Sequence, residues 1–178
     1  MRIELRLPAP QASAAHAPAR AVVLDSNIVL DWLLFADPAC APLRALLAAG
    51  RLRWVATQAM RDELACVLDY AHLQPRLARA GQSAAQLLAQ FDAHAQLRPE
   101  AARAPYVCKD ADDQKFIDLA VAERALLLSK DKAVICMRKG CSPLGCKGEQ
   151  LSFSTINPAA RQPRKRLLRQ TPHAAAQC

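Results

Sequence analysis

Four acidic positions have the residue types and spacing to do chemistry: Asp25, Glu63, Asp113 (within the pair Asp112-Asp113) and Asp131. Asp25 follows the apolar run Ala21-Val22-Val23-Leu24, and Asp131 comes shortly after Ala125-Leu126-Leu127-Leu128. Such runs, bounded by polar residues, read as short buried strands of a parallel sheet. In open α/β sheets, ligands bind in the crevice beyond the carboxyl ends of the strands. Carboxylates delivered there by different strands converge on one place. They repel each other strongly unless a divalent cation sits among them. The pattern points to a metal-dependent enzyme.

Taken singly, each signal has a plainer structural reading. Leu24-Asp25-Ser26-Asn27 ends a strand on an acid with an amide two residues later, and it is equally an ordinary helix start capped by Asp25 or Ser26. Glu63 lies one position before an apolar stripe, and beside Asp62 it also reads as a solvated helix face. Asp110-Ala111-Asp112-Asp113 is stronger, because three acids within four residues exceed what a cap needs, even though acids gain from the dipole at a helix start. Asp113 precedes Phe116 and Ile117 by three and four residues, which puts its carboxylate along the buried stripe. Ser129-Lys130-Asp131 again sets a hydroxyl and a carboxylate just past a strand.

The elements that must position these groups follow from the periodicity. A short helix is predicted over Ile28–Phe35 and another over Pro42–Ala49, the latter closed by Gly50. Arg53–Ala56 is a candidate second strand, and Thr57 is placed to cap a helix running to about Tyr70 with Met60, Leu64, Val67 and Leu68 on one face. A further helix is expected from Ser83 to about Leu97, turning Leu87, Leu88 and Phe91 inward, with a weak strand at Tyr106–Cys108. From Asp112 a helix carries Phe116, Ile117, Ala120 and Val121 on one face, and the strand Ala125–Ser129 follows. Residues 136–150 read as a loop, and the alternation of Leu151–Ile156 suggests a last edge strand. Strands alternating with helices argue for an α/β fold with a parallel sheet.

A chain of 178 residues is long enough for one domain with a real core. With 52% hydrophobic residues but only 4% aromatics, that core must be built from Leu, Val and Ala. No apolar stretch approaches the roughly 18 residues that cross a bilayer, and the segment to Arg20 lacks the apolar centre of a signal peptide. A cytoplasmic setting with reduced thiols is therefore expected for the seven cysteines. Cys136, Cys141 and Cys146 are five apart with no nearby His, a spacing that argues against structural zinc. The net charge of +8 belongs to the ends: residues 21–157 carry a balance of +1, residues 1–20 add +2 and residues 158–178 add +5. A basic tail raises non-specific affinity for nucleic acid, and it serves equally as a solubilising extension. The expected organisation is a disordered extension over 1–20, one domain over 21–157, and a disordered basic tail over 158–178.

The string AVVLDSNIVLDWLL, residues 21–34, resembles the opening of a PIN domain, and DADDQKFIDLAVAERALLLSKDK, residues 110–132, resembles that family's second signature. The match spans roughly residues 20–157 and is most similar to the toxin components of bacterial toxin–antitoxin systems, relatives of the virulence-associated protein C (VapC) toxins. The resemblance implies an RNase H-like, three-layer α/β/α fold with a central, mostly parallel sheet. It implies Asp25, Glu63, Asp113 and Asp131 as a catalytic, metal-binding quartet, with Asn27, Ser129 and Asp112 in support. It further implies a Mg²⁺- or Mn²⁺-dependent endoribonuclease with an RNA substrate, a cognate antitoxin and a homodimeric assembly. Two departures stand out: Lys130 where these toxins often have glycine, and Ala133 where a further acid is often found.

Other phosphoryl-transfer readings fit less well. A haloacid dehalogenase-type phosphatase wants a second Asp two residues after the first, where this chain has Asn27. A phospho-receiver wants an acidic pair after the first strand. Neither a Walker-type nor a dinucleotide glycine loop occurs. The competing reading is a PIN-like module that binds RNA or a partner without cutting, motivated by Lys130 and Ala133.

Overall fold

The computed structural model describes residues 18–131, Val134 and the backbone of residues 153–155. The strands are β1 (Arg20–Leu24), β2 (Leu52–Ala56), β3 (Ala95–Leu97), β4 (Leu126–Ser129) and β5 (Phe153–Thr155). They form one sheet in the order β3-β2-β1-β4-β5, with every neighbouring pair parallel. Between them lie α1 (Ser26–Leu33), α2 (Ala41–Ala48), α3 (Gln58–Leu68), α4 (Gln74–Ala80), α5 (Ala84–His94) and α6 (Gln114–Ala122). The chain steps outward from β1 to β3, then returns past β1 to β4. Because crossovers between parallel strands are right-handed, the outward and returning connections cover opposite faces. The result is the expected α/β/α sandwich, with its switch point between β1 and β4.

The apolar runs read from the sequence are the sheet's centre. Val22, Val23, Leu127 and Leu128 are all at most 1% exposed, as strands covered on both faces must be. Three of the eight aromatics meet at the core: Trp54 of β2 meets Phe91 of α5 edge-on (4.7 Å between centroids) and Trp32 of α1 at 5.6 Å. Gly50 follows α2 with φ +65, a left-handed conformation that glycine adopts at little cost.

Three expectations need correction. The helix from Ser83 ends at His94, and Ala95–Leu97 continues as strand β3; its backbone pairs with β2, an override by the sheet edge that local periodicity does not show. Tyr106–Cys108 is not a strand, because side chains of α6 satisfy its backbone. Gln114 donates to the Tyr106 carbonyl (2.9 Å) and accepts from the Cys108 N–H (2.8 Å), while Asp118 accepts from the Ala104 N–H (2.8 Å). Thr57 occupies the cap position of α3, but its hydroxyl is buried without a hydrogen bond; its N–H donates instead to Met60 Sδ at 3.4 Å. Helix α4 and a short 3₁₀ turn at Pro38–Cys40 were not anticipated. The last-strand expectation holds at Phe153–Thr155. Cys40, Cys66 and Cys108 are free thiols. The two chain ends and Ala133, Cys136, Cys141, Cys146 and Cys178 lie outside the described residues.

Candidate active site

Strand register builds the first part of the site. Leu24 pairs with Leu128, and the Asp25 N–H continues the ladder to the Leu128 carbonyl at 3.0 Å. Asp25 therefore stands beside Ser129, whose hydroxyl donates to Asp25 Oδ2 at 2.6 Å. The other carboxylate oxygen, Oδ1, accepts from the Asn27 N–H at 3.2 Å, so Asp25 is also the N-cap of α1. The cap reading and the functional reading of this residue are compatible, since one carboxylate fills both places. Asp25 is only 3% exposed. Burial raises its pKa to about 6, opposed by the hydrogen bonds from Ser129 and Asn27, with the Glu63 charge adding to the rise.

The second acid arrives from α3, which leaves β2 next to β1. Glu63 is half-buried and both of its oxygens are engaged: Ser26 Oγ donates to Oε1 at 2.7 Å, and Lys115 Nζ lies 2.5 Å from Oε2. Asp113 sits at the N-cap position of α6, partly buried, without capping the helix through its side chain. Its pKa is pushed up to about 7, first by burial and then by the charges of Asp25, Asp131, Asp110 and Glu63. Those repulsions bring the four predicted acids into one electrostatic neighbourhood. The Asp131 N–H donates to Ser129 Oγ at 3.0 Å, so one hydroxyl ties the first acid to the loop carrying the last.

Two sequence features fall differently from their simplest reading. Asp112 is exposed and contributes its carbonyl, which accepts from Lys115 Nζ at 2.6 Å. Lys130, the departure beside Asp131, points to α1, where it pairs with Asp31 and lies 4.0 Å from Asp37. Sequence reasoning missed Ser26 as a partner of Glu63, and it missed Lys115. Ser26 is detectable only as a buried hydroxyl next to Asp25; Lys115 lies two residues after Asp113, yet nothing local says that it reaches α3.

The donors gathered here are carboxylate and hydroxyl oxygens, the set that hard cations such as Mg²⁺ and Mn²⁺ take. Burial is the main cause that raises Asp25 and Asp113, and neighbouring acid charges add to both rises, a repulsion that a divalent cation would relieve. In kind, the residues fit such an ion. Among the described residues, however, no three acid, His or Cys side chains are drawn close enough to enclose one.

A parallel five-stranded sheet with acids at the carboxyl ends of β1 and β4, joined by acids from two flanking helices, defines an α/β/α protein with an acidic switch-point site. The PIN domain family model matches residues 21–133, and the chain belongs to that family. A chain in the crystal structure of VapBC2 from Rickettsia felis, bound to a DNA fragment from their promoter, has a similar fold, with TM-score 0.52 and 13% sequence identity. That similarity covers 76% of this chain and 98% of the other. No curated protein sequence matches the chain significantly. Among the described residues, no helix is long and apolar enough to cross a membrane.

Proposed function

We propose that the protein is a Mg²⁺- or Mn²⁺-dependent endoribonuclease, the toxin of a toxin–antitoxin pair, hydrolysing RNA phosphodiester bonds with water as the nucleophile. The observation that carries this reading is the gathering of acids near the switch point: burial, with the Glu63 charge adding, raises Asp25 to about 6, and burial, with the charges of Asp25, Asp131, Asp110 and Glu63 adding, raises Asp113 to about 7. Asp25 and Asp131 would be direct metal ligands, and Asp113 and Glu63 would hold a second ion or orient water. A bound divalent cation would supply a water of lowered pKa and offset charge on the phosphate oxygens. The chain's own residues do the positioning. Ser129 fixes the Asp25 carboxylate and, through the Asp131 N–H, the loop after β4. Asn27 holds the other oxygen of Asp25, and Ser26 holds Glu63. Family membership supports nuclease chemistry. The likeness to a chain of a VapBC2 complex supports a cognate antitoxin as partner, with a homodimer as the assembly to look for.

A second reading is a PIN-like module that binds RNA or a partner without cutting. It is favoured by the ammonium already on Glu63 and by the open spacing of the acids. One assay separates the two: cleavage of RNA with Mg²⁺ or Mn²⁺, compared with EDTA and with Asp25→Asn. Cleavage that requires the metal and is lost in the variant supports the nuclease. Undiminished cleavage in Asp25→Asn sinks the quartet, and no cleavage in any metal favours the binding module.

A further inference from the structure

We infer that Lys115 is a resident counter-cation of the acid site, occupying Glu63 in the metal-free protein and yielding it when a divalent cation enters. This rests on the metal-site reading above. The ammonium has three anchors: Glu63 Oε2 at 2.5 Å, the Asp112 carbonyl at 2.6 Å, and the face of Phe116, whose centroid is 5.3 Å away. Ser26 donates to Oε1 and the Lys115 ammonium stands against Oε2 as an ion pair without hydrogen-bond geometry, so a metal entering at Oε2 displaces Lys115. A site of four carboxylates without a cation pays for its own repulsion, and a tethered ammonium offsets part of that cost. Lysine suits this use better than arginine would: a compact charge on a flexible stem makes a single-point contact that can swing away, where a planar fork would lock both oxygens. Lys115 and Glu63 keep 24% and 28% of their side-chain surface exposed, which leaves the ammonium an open route to solvent. Metal occupancy then becomes a competition between one internal charge and the external ion. The site's affinity is set below what its four acids alone would give.

The test is Mn²⁺ binding to the full-length protein, freed of metal, by calorimetry and by the thermal shift that Mn²⁺ produces. Lys115→Met removes the charge and keeps the stem, Lys115→Gln is a second neutral variant, Lys115→Arg keeps the charge, and Asp25→Asn is the control for the site. A freed Glu63 and the loss of one repelling charge should tighten Mn²⁺ binding about tenfold in the Met and Gln variants. They should also lower the metal-free melting temperature and enlarge the Mn²⁺-induced shift; Lys115→Arg should bind no more tightly than the parent. Unchanged or weaker binding in both neutral variants, with Asp25→Asn still abolishing it, overturns the counter-cation role and leaves the acid site standing. Unchanged metal affinity with lost RNA cleavage assigns Lys115 to the substrate and likewise overturns it. Mn²⁺ binding that ignores Asp25→Asn, or no binding in any variant, overturns the acid site and this inference together.

Discussion

If Asp25 is held at the switch point for a metal and not for the fold, then in EDTA the protein should become more stable when that charge is removed. The magnitude follows from linkage. The Asp25 carboxyl has a pKa of about 6 in the folded chain, against an ordinary 3.8. A raised folded-state pKa means that the folded state binds more protons than the unfolded one between those values, so stability falls as pH rises through that window. At about 1.4 kcal/mol per pH unit, the ionised carboxylate costs roughly 3 kcal/mol once the pH is well above 6 and nothing once it is well below 3.8. Asp113, pushed to about 7 first by burial and then by the charge of Asp25 and other acids, works in the same direction. The ion pair of Asp92 with Arg61 holds the Asp92 carboxyl below its ordinary 3.8, so its opposing contribution falls away only in stronger acid.

Asparagine at position 25 removes the charge but also weakens the hydrogen bond from Ser129, at a cost of about 1–2 kcal/mol. The expected net gain for Asp25→Asn is about 1–2 kcal/mol near pH 8 in EDTA, or several degrees in melting temperature. It should shrink towards zero near pH 5, where the parent is itself largely protonated. Urea unfolding of both proteins at the two pH values, with and without Mg²⁺, measures this directly. Adding Mg²⁺ should reverse the order, stabilising the parent and leaving the variant unmoved. If the parent in EDTA grows more stable from pH 5 to 8, or if Asp25→Asn is destabilised at both, Asp25 is a structural cap and the reasoning is wrong.

Ser26→Ala leaves Glu63 held only through its other oxygen; turnover in the RNA assay should fall about tenfold with little change in melting temperature, and an unchanged rate would remove Ser26 from the site. Lys130→Met takes the ammonium from Asp31, which is 7% exposed, and should cost about 2–3 kcal/mol in urea unfolding. The double variant with Asp31→Asn should recover most of that loss, and simple additivity of the two changes would show that the pair is not coupled. Gly50→Ala meets no atom within 4 Å of the new Cβ, so only its left-handed backbone resists, at about 1 kcal/mol by thermal unfolding; a neutral result would mean that the turn relaxes freely.

The sheet was legible because buried parallel strands leave an unmistakable mark, a short apolar run with an acid at its end, and β1 and β4 both carry it. Strand β3 carries no such mark: Gln96 and Leu97 are exposed on an edge of only three residues, and they continue a helix whose periodicity runs into them. The same division applies within the site. Asp25 and Asp131 are visible because the strands that deliver them are visible. Glu63 has little motif around it, yet the structure gives it two direct side-chain partners, both supplied by elements distant in the chain. Lys130 is the converse, a departure whose partner, Asp31 of α1, cannot be read along the chain. Local pattern thus reports which residues a strand end presents, while the partners that tune those residues come from crossovers and have no local signature. In this chain those partners are Ser26 and Lys115, both on Glu63 and both from elements far from α3 in the sequence.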